Sequence, residues 1–195
     1  MDRGVSIDAI VQAPRSAPLV SDAASAYRGD DVSPRTRRFT MAELSPITPC
    51  LWFDDTAREA MEYYVDVFPN SSIRSIEEYP DESLDEHFTG MTGKVLNGRF
   101  TLNGTDFVCL DGGPLFTFNE SISFIVSCAD QDEIDHYWSR LSHVPESEQC
   151  GWCKDRFGVS WQIIPANMGD LTRTPAQIQV MMGQGRIVIA ELENA

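Results

Sequence analysis

A Cys-x-x-Cys pair, Cys150 and Cys153, is the one motif in this sequence with the spacing of a thiol redox centre. Two thiols at this spacing can form a strained disulfide, and the pKa of one of them is often lowered. In thioredoxin-like proteins the first cysteine begins a helix, whereas the residues that follow Cys153 have the pattern of a strand. A redox role is therefore one hypothesis, and two ordinary thiols beside a hairpin are the simpler interpretation.

Lys154, Asp155 and Arg156 form a charged group just before Gly158, at a predicted turn. The chain has a net charge of -15, and residues 1–40 hold six of its 15 basic residues but only five of its 30 acidic ones. Lys154 and Arg156 are thus scarce cations in an acidic protein, and they could anchor an anionic ligand. The alternative is that they shape the turn or neutralise nearby carboxylates.

The acidity of the chain also excludes classes of partner. A strongly negative surface repels phosphate backbones and anionic lipids, so nucleic acid and membranes are not expected partners. No apolar run approaches the roughly 20 residues of a spanning helix. The odd number of cysteines, five, and the lack of a signal-peptide pattern predict free thiols in a reducing compartment, the cytoplasm.

Residues 1–44 show no sustained periodicity and are predicted to be a disordered extension, in which Met41 is a possible true start. Acidic residues in this stretch argue against a transit peptide. Residues 45–195 are predicted to form one globular domain.

The first predicted module covers about residues 45–114. A short apolar strand at residues 47–53 precedes Thr56 and Glu59, which have the spacing of a capping box. Apolar residues then recur at helical spacing up to Phe68, and Pro69 ends the helix. Further strands are predicted at residues 73–79, 94–102 and 106–111.

Two features predict how the last two strands of this module are arranged. Alternation places Leu96, Phe100 and Leu102 on one face. Asn103-Gly104 is typical of a two-residue hairpin turn, whereas Asn97-Gly98 is interpreted as a bulge or continuation within a long strand.

The second predicted module, about residues 115–170, repeats this plan. A strand at residues 121–128 leads to Asp130, a predicted helix cap that aligns with Asp55 about 75 residues earlier. Internal duplication is the economical interpretation. After a helix through Leu141, strands are predicted at residues 151–157 and 159–165. The tail, residues 171–195, is predicted to hold a helix at residues 175–182 and a short packing element at residues 187–192.

Two segments resemble a known family: Ile-Thr-Pro-Cys-Leu-Trp-Phe at residues 47–53 and Lys-Asp-Arg-Phe-Gly-Val-Ser-Trp-Gln-Ile-Ile-Pro at residues 154–165. Together with tandem βαβββ modules, they resemble the PhnB-like branch of the vicinal-oxygen-chelate (glyoxalase and bleomycin-resistance) superfamily. The resemblance implies an α+β fold of two half-barrel sheets with eight strands. It also implies a concave cup that holds a small ligand and is completed across a homodimer.

In metal-dependent relatives, His, Glu or Gln side chains from the first and fourth strands of each module hold a divalent ion. Carried over to this sequence, those positions are Thr48, Cys109, Ser123 and Gln162, none of which is His or Glu. A tightly held transition metal is therefore disfavoured, with Gln162 as a weak candidate ligand. The histidines His87, His136 and His143 lie elsewhere and are interpreted as solvated side chains.

Strand alternation extends this set into a predicted ligand pocket, mostly apolar with a few polar groups. Filling of a barrel interior is the alternative interpretation for each residue. The predicted pocket residues are Thr48, Cys50, Trp52, Phe107, Cys109, Asp111, Ser123, Ile125, Ser160 and Gln162.

Three functions follow as hypotheses. The first is a homodimer that binds a small organic molecule in the cup without a tightly held metal or another cofactor. The second is a metal-dependent lyase, isomerase or dioxygenase, and the third is the thiol redox role. The branch is often labelled 3-demethylubiquinone-9 3-methyltransferase-like, yet no glycine-rich loop after a first parallel strand is visible to hold a methyl donor.

Overall fold

The computed structural model describes residues 47–84 and 88–195, so the predicted extension, Met41 and His87 lie outside the described residues. The first module has the predicted βαβββ order. Its first and fourth strands are parallel, and its other strand pairs are antiparallel, in the sheet order β1-β4-β3-β2. The elements are β1 (Cys50–Phe53), α1 (Ala57–Val67), β2 (Ser72–Glu78), a 3-10 turn (Glu82–Leu84), β3 (Val95–Leu102) and β4 (Thr105–Asp111).

The second module has one strand fewer. It contains β5 (Phe124–Cys128), α2 (Gln131–Leu141), β6 (Trp152–Lys154) and β7 (Ser160–Pro165), in the sheet order β5-β7-β6. Where a further strand would follow α2, the chain forms a 3-10 turn (Pro145–Ser147). The described residues therefore hold seven strands rather than the expected eight.

The tail that follows forms two helices, α3 (Pro175–Met182) and α4 (Ile189–Glu193), at the positions predicted for a helix and a packing element. None of the described helices is long and apolar enough to cross a membrane.

The two helix starts differ. Asp130 caps α2 as predicted, because its carboxylate accepts the Glu133 N–H. The predicted capping box at α1 is wrong: within the described part of the chain, the Thr56 side chain makes no cap hydrogen bond. Asp111, at the end of β4, instead accepts the Ala57 N–H at 2.8 Å, so the strand end anchors the helix start.

The β3–β4 hairpin has the predicted turn. Asn103 and Gly104 have φ of 43° and 83°, the left-handed values that a type I′ turn requires, and Leu102 lies opposite Thr105. Asn97-Gly98 lies within β3, as predicted. Leu96, however, is 39% exposed rather than on the face of Phe100.

A β-bulge explains the position of Leu96. Glu77 lies opposite Asn97 and Glu78 lies opposite Val95, which leaves Leu96 as an extra residue. An extra residue shifts the alternation on one side of the bulge, so Val95 takes the buried position instead.

One hydrophobic core joins the modules. Tyr64 on α1 stacks on Phe100 of β3, with ring centroids 6.4 Å apart, and contacts Trp161 of β7 at 5.6 Å. Phe107 of β4 and Phe124 of β5 lie 5.2 Å apart. Each sheet thus directs one face toward this core, and we call the opposite face of each sheet its open face.

Candidate ligand site

Strand pairing defines the open face of the first sheet. In β1, Leu51 and Phe53 are buried in the core, which leaves Cys50 and Trp52 on the open face. Directly paired residues of neighbouring strands point to the same side of a sheet. The pairing therefore adds Asn97, Arg99, Asp106, Val108 and Leu110 to this open face.

Three predicted pocket residues lie on the other face. Phe107, Cys109 and Asp111 are buried under α1. A Cβ atom at Gly98 would lie 2.7 Å from Cys109 Sγ and 2.8 Å from Met61 Sδ, which shows how closely this face packs on the helix. The face assigned to these residues relative to β1 was wrong by one residue, and a one-residue shift moves every side chain to the opposite face. Phe107 nevertheless lines two of the cavities described below.

The second sheet places its predicted residues on its open face. Ile125 pairs with Gln162, and the Gln162 amide donates a hydrogen bond to Ser123 Oγ at 2.8 Å. Trp161 and Ile163, one residue to either side of Gln162, are buried in the core. That these open-face residues contact a ligand stays a prediction.

A cavity of about 350 Å³ lies between the modules. One side comes from β1 and the residues before it, and the other from β5, β7 and the connection between the modules. The Ser160 side chain is only 2% exposed, and its hydroxyl has no hydrogen-bond partner among the described residues. The lining residues are Pro49, Cys50, Leu51, Thr117, Phe118, Asn119, Ser121, Ile122, Phe124, Val159 and Ser160.

A second cavity, of about 470 Å³, opens on the first sheet near its hairpin end. It contains the predicted residue Thr48 together with two arginines and one carboxylate, Arg74, Arg99 and Asp106. A third, of about 460 Å³, runs along β5 and has aromatic walls that include Phe68, Tyr137 and Trp161.

A family model described as 3-demethylubiquinone-9 3-methyltransferase matches residues 45–164. The chain belongs to this family. A putative 3-demethylubiquinone-9 3-methyltransferase, the PhnB protein from Bacillus cereus, is 34% identical, with a TM-score of 0.51. The match covers 62% of this chain and 99% of that one. These findings confirm the PhnB-like assignment and are consistent with a glyoxalase-like fold.

Two other solved structures are more distant. A protein from Staphylococcus aureus is 27% identical over 60% of this chain and 92% of that one, with a TM-score of 0.27. Protein PA1353 from Pseudomonas aeruginosa is 16% identical over 63% of this chain and 98% of that one, with a TM-score of 0.46. No curated protein matches the chain.

The metal site of the metal-dependent relatives does not fit the donors present here. Within residues 47–84 and 88–195, no group of three or more His, Cys, Asp or Glu side chains is placed to hold a metal ion. Correcting the strand alternation puts Val108, not Cys109, beside Cys50, and the Gln162 amide is engaged by Ser123. His136 and His143 contact aromatic rings of Tyr137 and Tyr63 instead.

The Cys-x-x-Cys pair has the geometry of ordinary thiols. All five cysteines are free in the described chain. Burial raises the pKa of Cys153 to about 12, which opposes the thiolate that redox chemistry requires. Cys150 lies in a turn at φ 52°, not at a helix start, and its sulfur is 3.7 Å from Met182 Sδ.

The predicted cationic anchors are neutralised. Lys154 forms an ion pair with Glu120, and Arg156 lies 3.1 Å from Glu59 and over the Tyr63 ring. These contacts agree with the alternative interpretation, in which Lys154 and Arg156 neutralise nearby carboxylates.

Sequence reasoning missed the role of Asp155. It is buried and accepts hydrogen bonds from the Phe157 and Val159 N–H groups, from Tyr64 Oη–H at 2.8 Å and from Trp161 Nε1–H at 2.8 Å. Burial raises the pKa of Asp155, and these four donors oppose the rise. Asp155 therefore joins the helix of the first module to the second sheet.

Proposed function

We propose that this chain binds a small, mostly apolar organic molecule in the 350 Å³ cavity between its modules, and that a second copy completes the cup. The observation that carries the proposal is the Ser160 hydroxyl, buried without a partner among the described residues. Leaving such a group unpaired costs about 1–3 kcal/mol, and buried hydroxyls in native proteins rarely lack a partner. A ligand oxygen or nitrogen would satisfy it once the Ser160 side chain turns its hydroxyl toward the cavity that the residue lines.

The rest of the cavity supports the same class of ligand. Leu51, Ile122 and Phe124 give it apolar walls. Its volume lies within the roughly 300–1,000 Å³ of small-molecule sites, which combine apolar walls with a few polar groups. Ser160 would therefore orient a ligand whose affinity comes mainly from apolar contact.

Exposed apolar side chains support the homodimer. Ile125, on the open face of the second sheet, is 59% exposed, and Phe116 and Ile122 are exposed in the connection between the modules. Large exposed apolar side chains are covered when they belong to an interaction surface, and under this proposal the second copy covers these three. The free cysteines support the further proposal of a reducing, cytoplasmic location.

Methyl transfer, which the family description names, is not part of the proposal. In the described chain β1 leads through Asp54, Asp55 and Thr56 into α1, with no glycine-rich loop to hold a methyl donor. The metal-dependent enzyme stays an alternative hypothesis, for which the open-face donors offer no support.

Phenol and toluene have nearly the same shape, and ligand-observed NMR measures the binding of each. A comparison of their affinities tests the proposal. Wild type should bind phenol about tenfold more tightly, because only phenol can pair with Ser160 and so remove the roughly 1–3 kcal/mol cost of its unpaired hydroxyl. Ser160→Ala should remove that preference and leave toluene binding unchanged. Because the variant also removes an unpaired buried group, its unfolding midpoint in urea should not fall.

Ser121→Ala is the matched control, since Ser121 lines the same cavity but is exposed. It should retain the preference for phenol. Equal binding of the two probes by wild type, or an unchanged preference in Ser160→Ala, would contradict the proposal. Native mass spectrometry of protein purified without chelators adds the subunit number, and stoichiometric metal would favour the enzyme alternative.

A further inference from the structure

We infer that Arg74 and Arg99 form an oxyanion site in the 470 Å³ cavity on the open face of the first sheet. The inferred ligand group is a carboxylate or a phosphate. The inference rests on the proposed function in one respect, that both cavities serve the same ligand. It deepens that function because it makes the ligand an organic acid.

The strand register brings the two guanidinium groups to the same cavity. Arg99 on β3 lies opposite Val108 on one side and Ser75 on the other. The register of β2 shifts between Ile73 and Ser75, which leaves Arg74 as an extra residue beside Ser75. A bulge of this kind sets two successive residues against one partner and redirects a side chain, and Arg74 and Arg99 both line the cavity.

Among the described residues, charge pairing distinguishes these two arginines, together with Lys94 outside the cavity lining, from the other cations. Residues 47–195 contain nine Lys and Arg. Six of them form ion pairs with carboxylates: Arg58, Arg140, Lys154, Arg156, Arg173 and Arg186. Arg74 and Arg99 form none with the residues that the structure describes, although the protein carries a net charge of -15.

The positive charges of two arginines that line one cavity repel each other, and because both side chains are exposed, solvent weakens that repulsion without removing it. An oxyanion between them would relieve the repulsion and accept the paired N–H donors that arginine presents to carboxylate and phosphate groups. Asp106 lines the same cavity and lowers its affinity for a free anion, but the two arginines leave the lining with a net positive charge.

The two cavities adjoin across neighbouring strands. Cys50, in the cavity between the modules, is paired with Val108, in the arginine cavity. Strands lie about 4.8 Å apart, so Arg99 is about 10 Å from Cys50 across the sheet. An organic acid of moderate size could place its apolar body beside Ser160 and its anionic group at the arginines.

Sodium phosphate and sodium acetate test the anion site, with sodium chloride at equal ionic strength as the reference. In wild type, amide chemical shifts of β2 and β3 should respond saturably to phosphate, to acetate or to both. The more tightly bound anion identifies the kind of oxyanion. The double variant Arg74→Gln, Arg99→Gln should bind it at least tenfold more weakly, because it removes both donor groups.

Arg173→Gln is the control for losing an arginine charge elsewhere on the surface, since Arg173 is an exposed arginine paired with Asp170 outside the cavity. It should bind the anion as wild type does. No saturable response in wild type beyond chloride, or an equal loss in Arg173→Gln, would overturn the inference. The phenol and toluene comparison uses neutral probes, so either proposal can fail while the other stands.

Discussion

At the scale of single residues, burial rather than motif spacing sets the chemistry of the thiols. Cys109, Cys128 and Cys153 are buried, and burial raises the pKa of each to about 12. Cys50 is exposed, although partial desolvation raises the pKa of its thiol, and Cys150 is partly exposed. The two members of the Cys-x-x-Cys pair therefore differ in their access to reagents.

Iodoacetamide at pH 8 should modify Cys50 and Cys150 and leave the three buried cysteines intact in the folded protein. A rise in pKa from 9.0 to about 12 lowers the thiolate fraction at pH 8 about a thousandfold, and only the thiolate reacts. Peptide mass spectrometry measures the modification, and unfolded protein, in which all five react, is the control. Rapid modification of Cys153 would revive the redox hypothesis.

At the scale of elements, a carboxylate from the end of one strand organises the first module. Asp111 accepts the Ala57 N–H at the start of α1 and the Val95 N–H at the start of β3, each at 2.8 Å. The Tyr79 hydroxyl donates to the Asp111 carbonyl oxygen. Asp111 thus has a structural role at a position where the sequence predicted a pocket residue.

Asp111→Ala should lower the free energy of unfolding by about 2–4 kcal/mol, because it leaves two buried N–H groups unpaired. Thr56→Ala, at the adjacent cap position, should cost under about 0.5 kcal/mol, since its side chain makes no cap hydrogen bond with described residues. Urea denaturation of the two variants measures the difference. The reverse order of effects would restore Thr56 as the cap.

At the scale of the whole molecule, the shared core has a structural role, and the open faces have the proposed binding role. Residues from α1, β4, β5 and β7 meet in the core, which holds the modules together. The open faces carry the exposed apolar and cationic side chains, and they are available for a ligand and, under the proposal, for a second copy.

Ile125→Asp should convert the proposed dimer to a monomer, because it places a charge where the open face of the second sheet would be covered. Ile178→Asp is the control, since Ile178 is also exposed, at 44%, but lies on α3. Sedimentation velocity at several protein concentrations measures the assembly. A dimer that survives Ile125→Asp and dissociates with Ile178→Asp would place the interface on the tail.

The sequence by itself determined the family and most elements. The helical spacing before Pro69, the Asp130 cap and the Asn103-Gly104 turn are local signals, because each depends on residues within a few positions. The Cα pairing of the hairpin and the helix bounds confirm them.

Only the tertiary structure decided which face each strand presents and which charges are paired. The alternation of β4 was assigned one residue out of place, and that shift moved Cys109 from the expected cup to the core. Arg156 meets Glu59, and Ala57 meets Asp111, across stretches of more than 50 residues. Such contacts leave no local pattern, so the unpaired Ser160 hydroxyl and the unpaired arginines became visible only when the chain was folded.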